Sequence, residues 1–579
     1  MKILLISPEI EDSHLRFTKK EARSFWFPRL SLTTLASFVR PDDEVKIVDE
    51  TVDKIDFDMD VDLVGISVMT YHAPRAYEIS EKFRKRGITV VLGGIHPSAM
   101  PDEAGLHADS VVIGEADETW PKLLSDFKRG ELKPLYRQVG LPSLENLPVQ
   151  RLDLLKTGAY MTNNCVQTSR GCPHGCDFCS VTKFFGKTYR YRPVRDVIKE
   201  VESLPGDYLV FVDDNIAGNR RYAKELFTAL KPLKKRWGSQ SSLSLANDPE
   251  LLKLAADSGC GAMFVGIETL SQDNLQGVNK GFNKVSSYHD LIQRFNDNGI
   301  MLNAGIIFGF DNDDESVFEK TVDFLIKNHI GLVLFSILTP LPGTGFYKRV
   351  EQEGRIIDRD WTHYDGRHIV FKPRLMPLDS LQDGFYWSYR QFYSYGSIIK
   401  RILHSPEDAL KIFFLNRGYR RMVLRAPEGK LPVIADILKK LQGIIPVKEN
   451  SGFIHNTLDS IKDTMDDLSS DVSGFLKIKS KKTEIMSFIH GHSLLVDLEG
   501  TLDRYSALRL KKMLINTIKN LKMDVVVNFE NLKKATPMAL QTLLSNIPKE
   551  IKPLNVSPVF QEVLKNNFVF DINKEDIKL

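Results

Sequence analysis

Cysteine is scarce, with five residues in 579, and this excludes the dense disulfide framework of small secreted domains. No apolar run approaches the 18 or so residues that cross a bilayer, so a membrane-spanning helix is not expected. The opening Met1-Lys2-Ile3-Leu4-Leu5-Ile6-Ser7 is too short for a secretory signal. An excess of one charge is lacking too: 78 Lys and Arg face 75 Asp and Glu, leaving +3. That is too little for this length to indicate a nucleic-acid partner. The expectation is a cytoplasmic protein in a reducing compartment. Hydrophobic residues make up 42%, which excludes wholesale disorder. The length exceeds a single hydrophobic core and predicts about three or four domains.

What is present is a tight group of three cysteines, Cys172, Cys176 and Cys179, in Ser-Arg-Gly-Cys-Pro-His-Gly-Cys-Asp-Phe-Cys-Ser. Three thiolates on one loop can hold three irons of a cubane cluster and leave the fourth iron open. The alternative is zinc, with His174 or Cys165 as fourth ligand. Against it, His174 is wedged between two of the cysteines, and no second Cys-x2-Cys or His pair follows at finger spacing. Cys-x3-Cys-x2-Cys with Phe178 before the last cysteine resembles the signature of radical S-adenosylmethionine (SAM) enzymes. The resemblance implies a [4Fe-4S] cluster whose open iron is chelated by SAM. An electron from an external donor such as flavodoxin or ferredoxin then cleaves the sulfonium to a 5'-deoxyadenosyl radical.

Residues 1–148 alternate short apolar runs with amphipathic segments. The runs are Lys2–Ile6, Val45–Val48, Leu63–Ser67, Thr89–Leu92 and Ser110–Ile113. This predicts a parallel sheet covered on both faces, a doubly wound α/β domain of Rossmann or flavodoxin type. Ligands of such sheets sit beyond the strands' carboxyl ends, here Ser67 to Thr70, Gly93-Gly94-Ile95-His96-Pro97 and Gly114-Glu115. Glycines there let a ligand approach the backbone, although either pair alone reads as a turn. Together with Pro101-Asp102-Glu103-Ala104 they resemble the cobalamin-binding domain that precedes many radical SAM barrels. The resemblance implies that Ser67, Thr70, Gly93, Gly94, His96, Gly114 and Glu115 line the corrin. It departs at Asp12-Ser13-His14, which lacks the glycine of the cobalt-ligating Asp-x-His-x-x-Gly. His14 is therefore read as a loop histidine.

Residues 152–345 carry six strand-like runs: Met161–Thr168, Tyr208–Val212, Ser241–Leu245, Met263–Ile267, Leu302–Phe308 and Leu332–Ile337. Helical periods lie between them, so a partial (β/α)6 barrel is expected, its active mouth at the strand carboxyl ends. The resemblance to radical SAM barrels implies that Asp213 and Asp214 receive the SAM ammonium, a pairing that suits a carboxylate. It also implies that Glu268 lies near the ribose and the segment Gly305 to Gly309 beside adenine. Asn215 is read as a helix cap before Arg220. Residues 346–396 form a barrel-associated extension, in which Arg359 to Gly366 also resembles the cobalamin subgroup. No additional cysteine triad precedes the barrel, which argues against the methylthiotransferase branch.

Residues 397–482 read as a basic helical region and linker, compatible with peripheral contact to an anionic membrane. Residues 483–579 resemble the small α/β STAS domain. Ala535-Thr536-Pro537-Met538-Ala539 has no counterpart of that domain's Asp-Ser phosphorylation site, so docking to a protein partner is the expected role. The expected function is cobalamin-dependent radical SAM methyl transfer to an unactivated carbon of a small molecule, a lipid or other hydrophobic compound. Two alternatives are cobalamin-dependent cyclisation or rearrangement, and a ligand sensor that signals through the STAS-like end.

Overall fold

The computed structural model describes residues 1–9, 26–402 and 409–424, and six strands of the carboxyl-terminal third. The chain divides into two compact units, 1–424 and 425–579. The first opens with Lys2–Ser7 (β1), Glu44–Asp49 (β2), Leu63–Ser67 (β3), Thr89–Gly93 (β4), Ser110–Ile113 (β5) and Leu135–Arg137 (β6). They lie in the order β2-β1-β3-β4-β5-β6, every pair parallel. This is the doubly wound topology, with its reversal at β1/β3. Alternate residues feed two cores: Leu4, Ile6, Val64 and Leu92 on one face, Ile3, Leu5, Leu63 and Trp120 on the other. Burial on both faces is why these strands read as unbroken apolar runs. The short β6 carries no such signal and was not expected.

A second parallel sheet follows. Its strands are Cys165–Val166 (β7), Tyr208–Phe211 (β10), Arg236–Ser241 (β11), Cys260–Glu268 (β12), Met301–Phe308 (β13) and Leu332–Ile337 (β14), in the order β7-β10-β11-β12-β13-β14. A small antiparallel ladder, Ser169–Arg170 (β8) with Arg190–Tyr191 (β9), stands beside it. The third barrel strand departs from expectation. It is Arg236–Ser241, whereas Leu243–Asn247 is a 3-10 turn. Trp237 anchors the strand against Phe211 and Phe227. Its other residues are Arg, Gly, Ser and Gln, so hydrophobic pattern hides it.

The outer edge of β14 is satisfied by the extension. Tyr389 Oη accepts from Phe335 N at 3.1 Å and donates to Phe335 O at 2.8 Å, and Tyr393 Oη does the same at Val333 with 3.0 and 2.7 Å. Ile337 N donates to Gly366 O at 2.7 Å. Two further helices, Tyr395–Ile402 and Ala409–Leu424, bury Ile398, Ile412 and Phe413. The basic stretch expected to suit a membrane surface thus turns partly inward. Arg401 is 1% exposed, stacks 3.7 Å from the Phe392 ring centroid and donates to the carbonyls of Ile330, Gly331 and Phe392. Among the described residues no helix is long and apolar enough to cross a membrane.

In the second unit, Ser493–Leu502 pairs antiparallel with Thr483–His490 and parallel with Asp524–Asn528, which pairs parallel with Ile551–Leu554. Most of the region expected over 397–482 as basic helix and linker, the segment Thr536-Pro537-Met538-Ala539, and His14 lie outside the described residues.

Candidate active site at the strand ends

The cysteine loop, 171–189, springs from β8 and returns through β9. Gly171 at its root has φ +87°, and a Cβ there would lie 2.3 Å from Thr188 O, so only glycine fits the neck. The loop is pinned at Asp177. Its backbone N–H donates to Val278 O and its carbonyl accepts from Phe346 N, both at 3.0 Å. Its carboxylate receives Asn279 Nδ2 at 2.6 Å and Arg349 at 3.3 Å. Phe178, expected as a cofactor contact, packs against an apolar cluster with Val278, Phe310 and Phe346. Burial raises the pKa of all three thiols, Cys176 to about 11, and a bound metal would reverse that by deprotonating them.

The donor set fits a cubane better than a single ion. Among the described residues no three His, Cys, Asp or Glu converge where one ion could sit, whereas a cubane takes each thiolate on a different iron. The zinc alternatives are engaged elsewhere: His174 stacks on Phe282 with ring centroids 3.7 Å apart, and Cys165 is wholly buried in β7.

The two aspartates after β10 have opposite surroundings. Asp213 is 0% exposed and accepts from Thr168 N and Oγ1 and from Ser169 Oγ, which locks β10 to the root of the cysteine loop. Burial pushes its pKa up to about 6 despite those bonds. Asp214, partly exposed, is raised to about 6 by burial and then by the charge of Asp213. It lies close enough to influence Cys172 and Cys179. Asn215 does not cap the next helix; Asn219 does, accepting from Tyr222 N at 3.1 Å.

Glu268 sits at a bulge where β12 slips against β13, with φ +67°. Such strained backbone in a non-glycine residue clusters at functional sites. It ion-pairs with Lys280, which sequence reasoning missed. Burial works to lower the Lys280 pKa, but Glu268 and the Cys176 thiol outweigh it and hold the pKa above its ordinary value. A Cβ at Gly266 would lie 2.2 Å from Glu268 Oε1, and one at Gly305 would lie 2.9 Å from the Phe264 ring, so protein side chains already pack over both positions. Gly309 turns the chain after β13 with φ +95°, its N–H and that of Phe310 donating to Asp313 at 3.0 Å.

At the end of the first sheet lies a cavity of about 180 Å³, a size that accommodates a small aromatic ring. Ser67, Gly93, Gly94, Gly114 and Glu115 are on its wall, and so are Arg170, Phe184 and Phe185 from either side of the cysteines. Two of the glycines have reasons internal to the protein. Gly94 has φ +108°, and a Cβ would lie 2.8 Å from Val68 O; Gly114 has φ +83°. Gly93 has neither constraint, since its Cβ would meet only ordinary contacts, the nearest at 3.6 Å. Its missing side chain leaves room for a ligand, which fits a cofactor tail seated there. Thr70 and His96, expected beside the corrin, are not on this wall. His96 is buried on the other side of the sheet, 3.1 Å from Tyr77 Oη and packed edge-on against Trp361, because the turn Ile95–Ala99 carries it away.

Residues 166–325 match the Radical SAM superfamily and residues 28–124 the B12 binding domain. The chain is 32% identical to bacteriochlorophyllide d C-12(1)-methyltransferase of Chlorobaculum tepidum, over 73% of this chain and 94% of that one. The chain belongs to the cobalamin-dependent radical SAM family. Another relative in it, bacteriochlorophyllide d C-8(2)-methyltransferase of the same organism, is also 32% identical, over 66% of this chain and 89% of the relative. The cobalamin-dependent SAM radical enzyme OxsB shares the fold, with a TM-score of 0.55 at 15% identity over 80% of this chain and 84% of its own. As a member of this family the protein is an enzyme that uses a [4Fe-4S] cluster, SAM and cobalamin, and methyl transfer is its reaction class.

Proposed function

We propose that this enzyme methylates an unactivated carbon of a hydrophobic small molecule, in the gap between the cavity of the first sheet and the mouth of the second. The cavity whose wall is shared by Gly93 and by residues flanking the cysteines carries this reading, because it brings a cobalamin tail and the cluster loop to one place. When bound, the cluster with SAM supplies a hydrogen-abstracting 5'-deoxyadenosyl radical, and cobalamin supplies the methyl group.

The chain's own residues bind and orient. Cys172, Cys176 and Cys179 hold the cluster, with Asp177 fixing the loop. Asp214 receives the SAM ammonium, while Asp213 positions it through Thr168 and Ser169. Lys280 meets the SAM carboxylate and Glu268 the ribose hydroxyls, each drawn from their mutual ion pair. The segment Gly305 to Gly309 flanks the adenine, and Phe178 packs behind the loop. Ser67, Gly93, Gly94 and Gly114 cradle the corrinoid tail. Partly exposed Phe264 and Ile307 and the 37% exposed Leu334 lie at alternating positions on neighbouring barrel strands and supply an apolar substrate wall, with the Ser336 hydroxyl beside it. A flavodoxin- or ferredoxin-type donor delivers the electron.

The test is anaerobic incubation of reconstituted protein with SAM, cobalamin, a strong reductant and hydrophobic extracts. A product heavier by one methylene unit, absent with Cys176→Ala, supports the reading. Formation of 5'-deoxyadenosine with a product that gains no carbon rejects methyl transfer in favour of ring formation or rearrangement.

A further inference from the structure

Glu115 lies on the cavity wall, yet both of its oxygens belong to arginines of the cysteine hairpin. Oε2 accepts from Arg170 Nη1 at 2.7 Å and Arg190 Nη1 at 3.2 Å, and Oε1 accepts from Arg190 Nη2 at 2.5 Å. Asp117 Oδ2 takes Arg170 Nη1 at 2.6 Å. The side chains of Glu115, Arg170 and Asp117 are 2%, 7% and 8% exposed, so water screens these pairs little, and the two-point fork of Arg190 on Glu115 makes that pair directional. Arg170 and Arg190 stand opposite each other in the ladder of β8 with β9. That ladder is the neck of the loop that carries all three cysteines. One carboxylate at the end of β5 therefore grips both sides of the neck, 55 and 75 residues away in sequence.

We infer that Glu115 is a positioning residue: with Arg170 and Arg190 it sets the separation between the cysteine loop and the cavity of the first sheet. Three observations converge on this role. The grip acts on the loop's only closed end, it forms part of the cavity wall, and two carboxylates balance two guanidinium charges within it. Separation matters, because a misplacement of about 1 Å can cost on the order of 10²-fold in rate. The functional value of that separation rests on the reading that cobalamin occupies the cavity, but its existence does not.

The experiment measures it directly. A nitroxide is attached at Lys85→Cys, an exposed position at the end of a first-sheet helix, in the full-length reconstituted protein. Pulsed dipolar EPR then reports the distance from nitroxide to reduced cluster, with and without hydroxocobalamin. Iron content and cobalamin affinity are measured alongside. Glu115→Gln is expected to keep its iron and to bind cobalamin within about threefold of the parent, while the distance distribution roughly doubles in width, with Asp117→Asn intermediate. An unchanged distribution in Glu115→Gln overturns the inference. So does a loss of cobalamin affinity of about 100-fold with the distribution unchanged, which makes Glu115 a direct corrin contact. If Glu115→Gln does not fold, Arg190→Lys, which keeps the charge but loses the fork, must show the broadening. Failure of the parent to bind cobalamin refutes the cavity assignment alone, since the nitroxide distance is read without it.

Discussion

Beside Trp120, the first sheet is tied to the barrel by ions: Glu115 and Asp117 against Arg170 and Arg190. Beside Tyr77, it is tied to the extension by donors gathered on one carboxylate. Glu103 accepts from Tyr77 Oη at 2.9 Å and from Trp361 Nε1 at 2.9 and 3.2 Å, and its Oε1 lies 3.4 Å from His96 Nε2. The ionic joint is the less exposed and holds the cysteine hairpin; the second has Glu103 28% exposed and holds a loop beyond the barrel. A charged partner lost from the first leaves charges stranded in low dielectric, whereas Glu103 lost from the second leaves only neutral donors unpaired, among them the buried Tyr77 and His96.

Three changes break or sharpen that contrast. Arg170→Met strands Asp117 and leaves Glu115 with Arg190 alone, and it is expected to destabilise the first unit by about 3–5 kcal/mol, read as a lower denaturation midpoint in apo protein. Glu103→Gln keeps an acceptor but removes its charge, and a loss of about 1–2 kcal/mol follows by the same measurement. Equal losses at the two sites would remove the distinction between the joints. The smallest effect is acid dependence. Burial alone would raise the Glu103 pKa, but the bonds from His96 and Tyr77 bring it below its ordinary 4.5. A lowered carboxyl pKa contributes stability that is present above 4.5 and lost as pH falls through the folded value. The gap between parent and Glu103→Gln should therefore close on acidification from pH 5 toward pH 3. A gap that stays constant would show that the charge is irrelevant to this joint.

Local chemistry was legible in the sequence, and pairing at a distance was not. Cys172, Cys176 and Cys179 declare themselves by spacing, and β1, β3 and β4 by Val, Ile and Leu buried on both faces. Strand β11 escaped because only Trp237 supplies a large apolar side chain. Asp213 and Asp214 looked equivalent, yet just past the end of β10 Asp213 is consumed by Thr168 and Ser169 while Asp214 stays partly exposed. Lys280 and Asp177 gave no signal, since their roles come from partners 12 and as many as 172 residues away. Glu115 was expected to line the corrin from its place beside Gly114 at a strand end, while the arginines that claim both its oxygens are visible only once the chain is folded.

The tyrosine pair on the rim of β14 explains how six strands suffice. Four helical residues advance about 6.0 Å, and two strand residues about 6.6 Å, so Tyr389 and Tyr393 match Phe335 and Val333 rung for rung. Both hydroxyls serve as donor and acceptor, imitating a neighbouring backbone. An open sheet margin ordinarily invites intermolecular β-pairing and aggregation; here two phenols stand in for the missing seventh strand and leave an intruding chain no amide or carbonyl to recruit at those rungs.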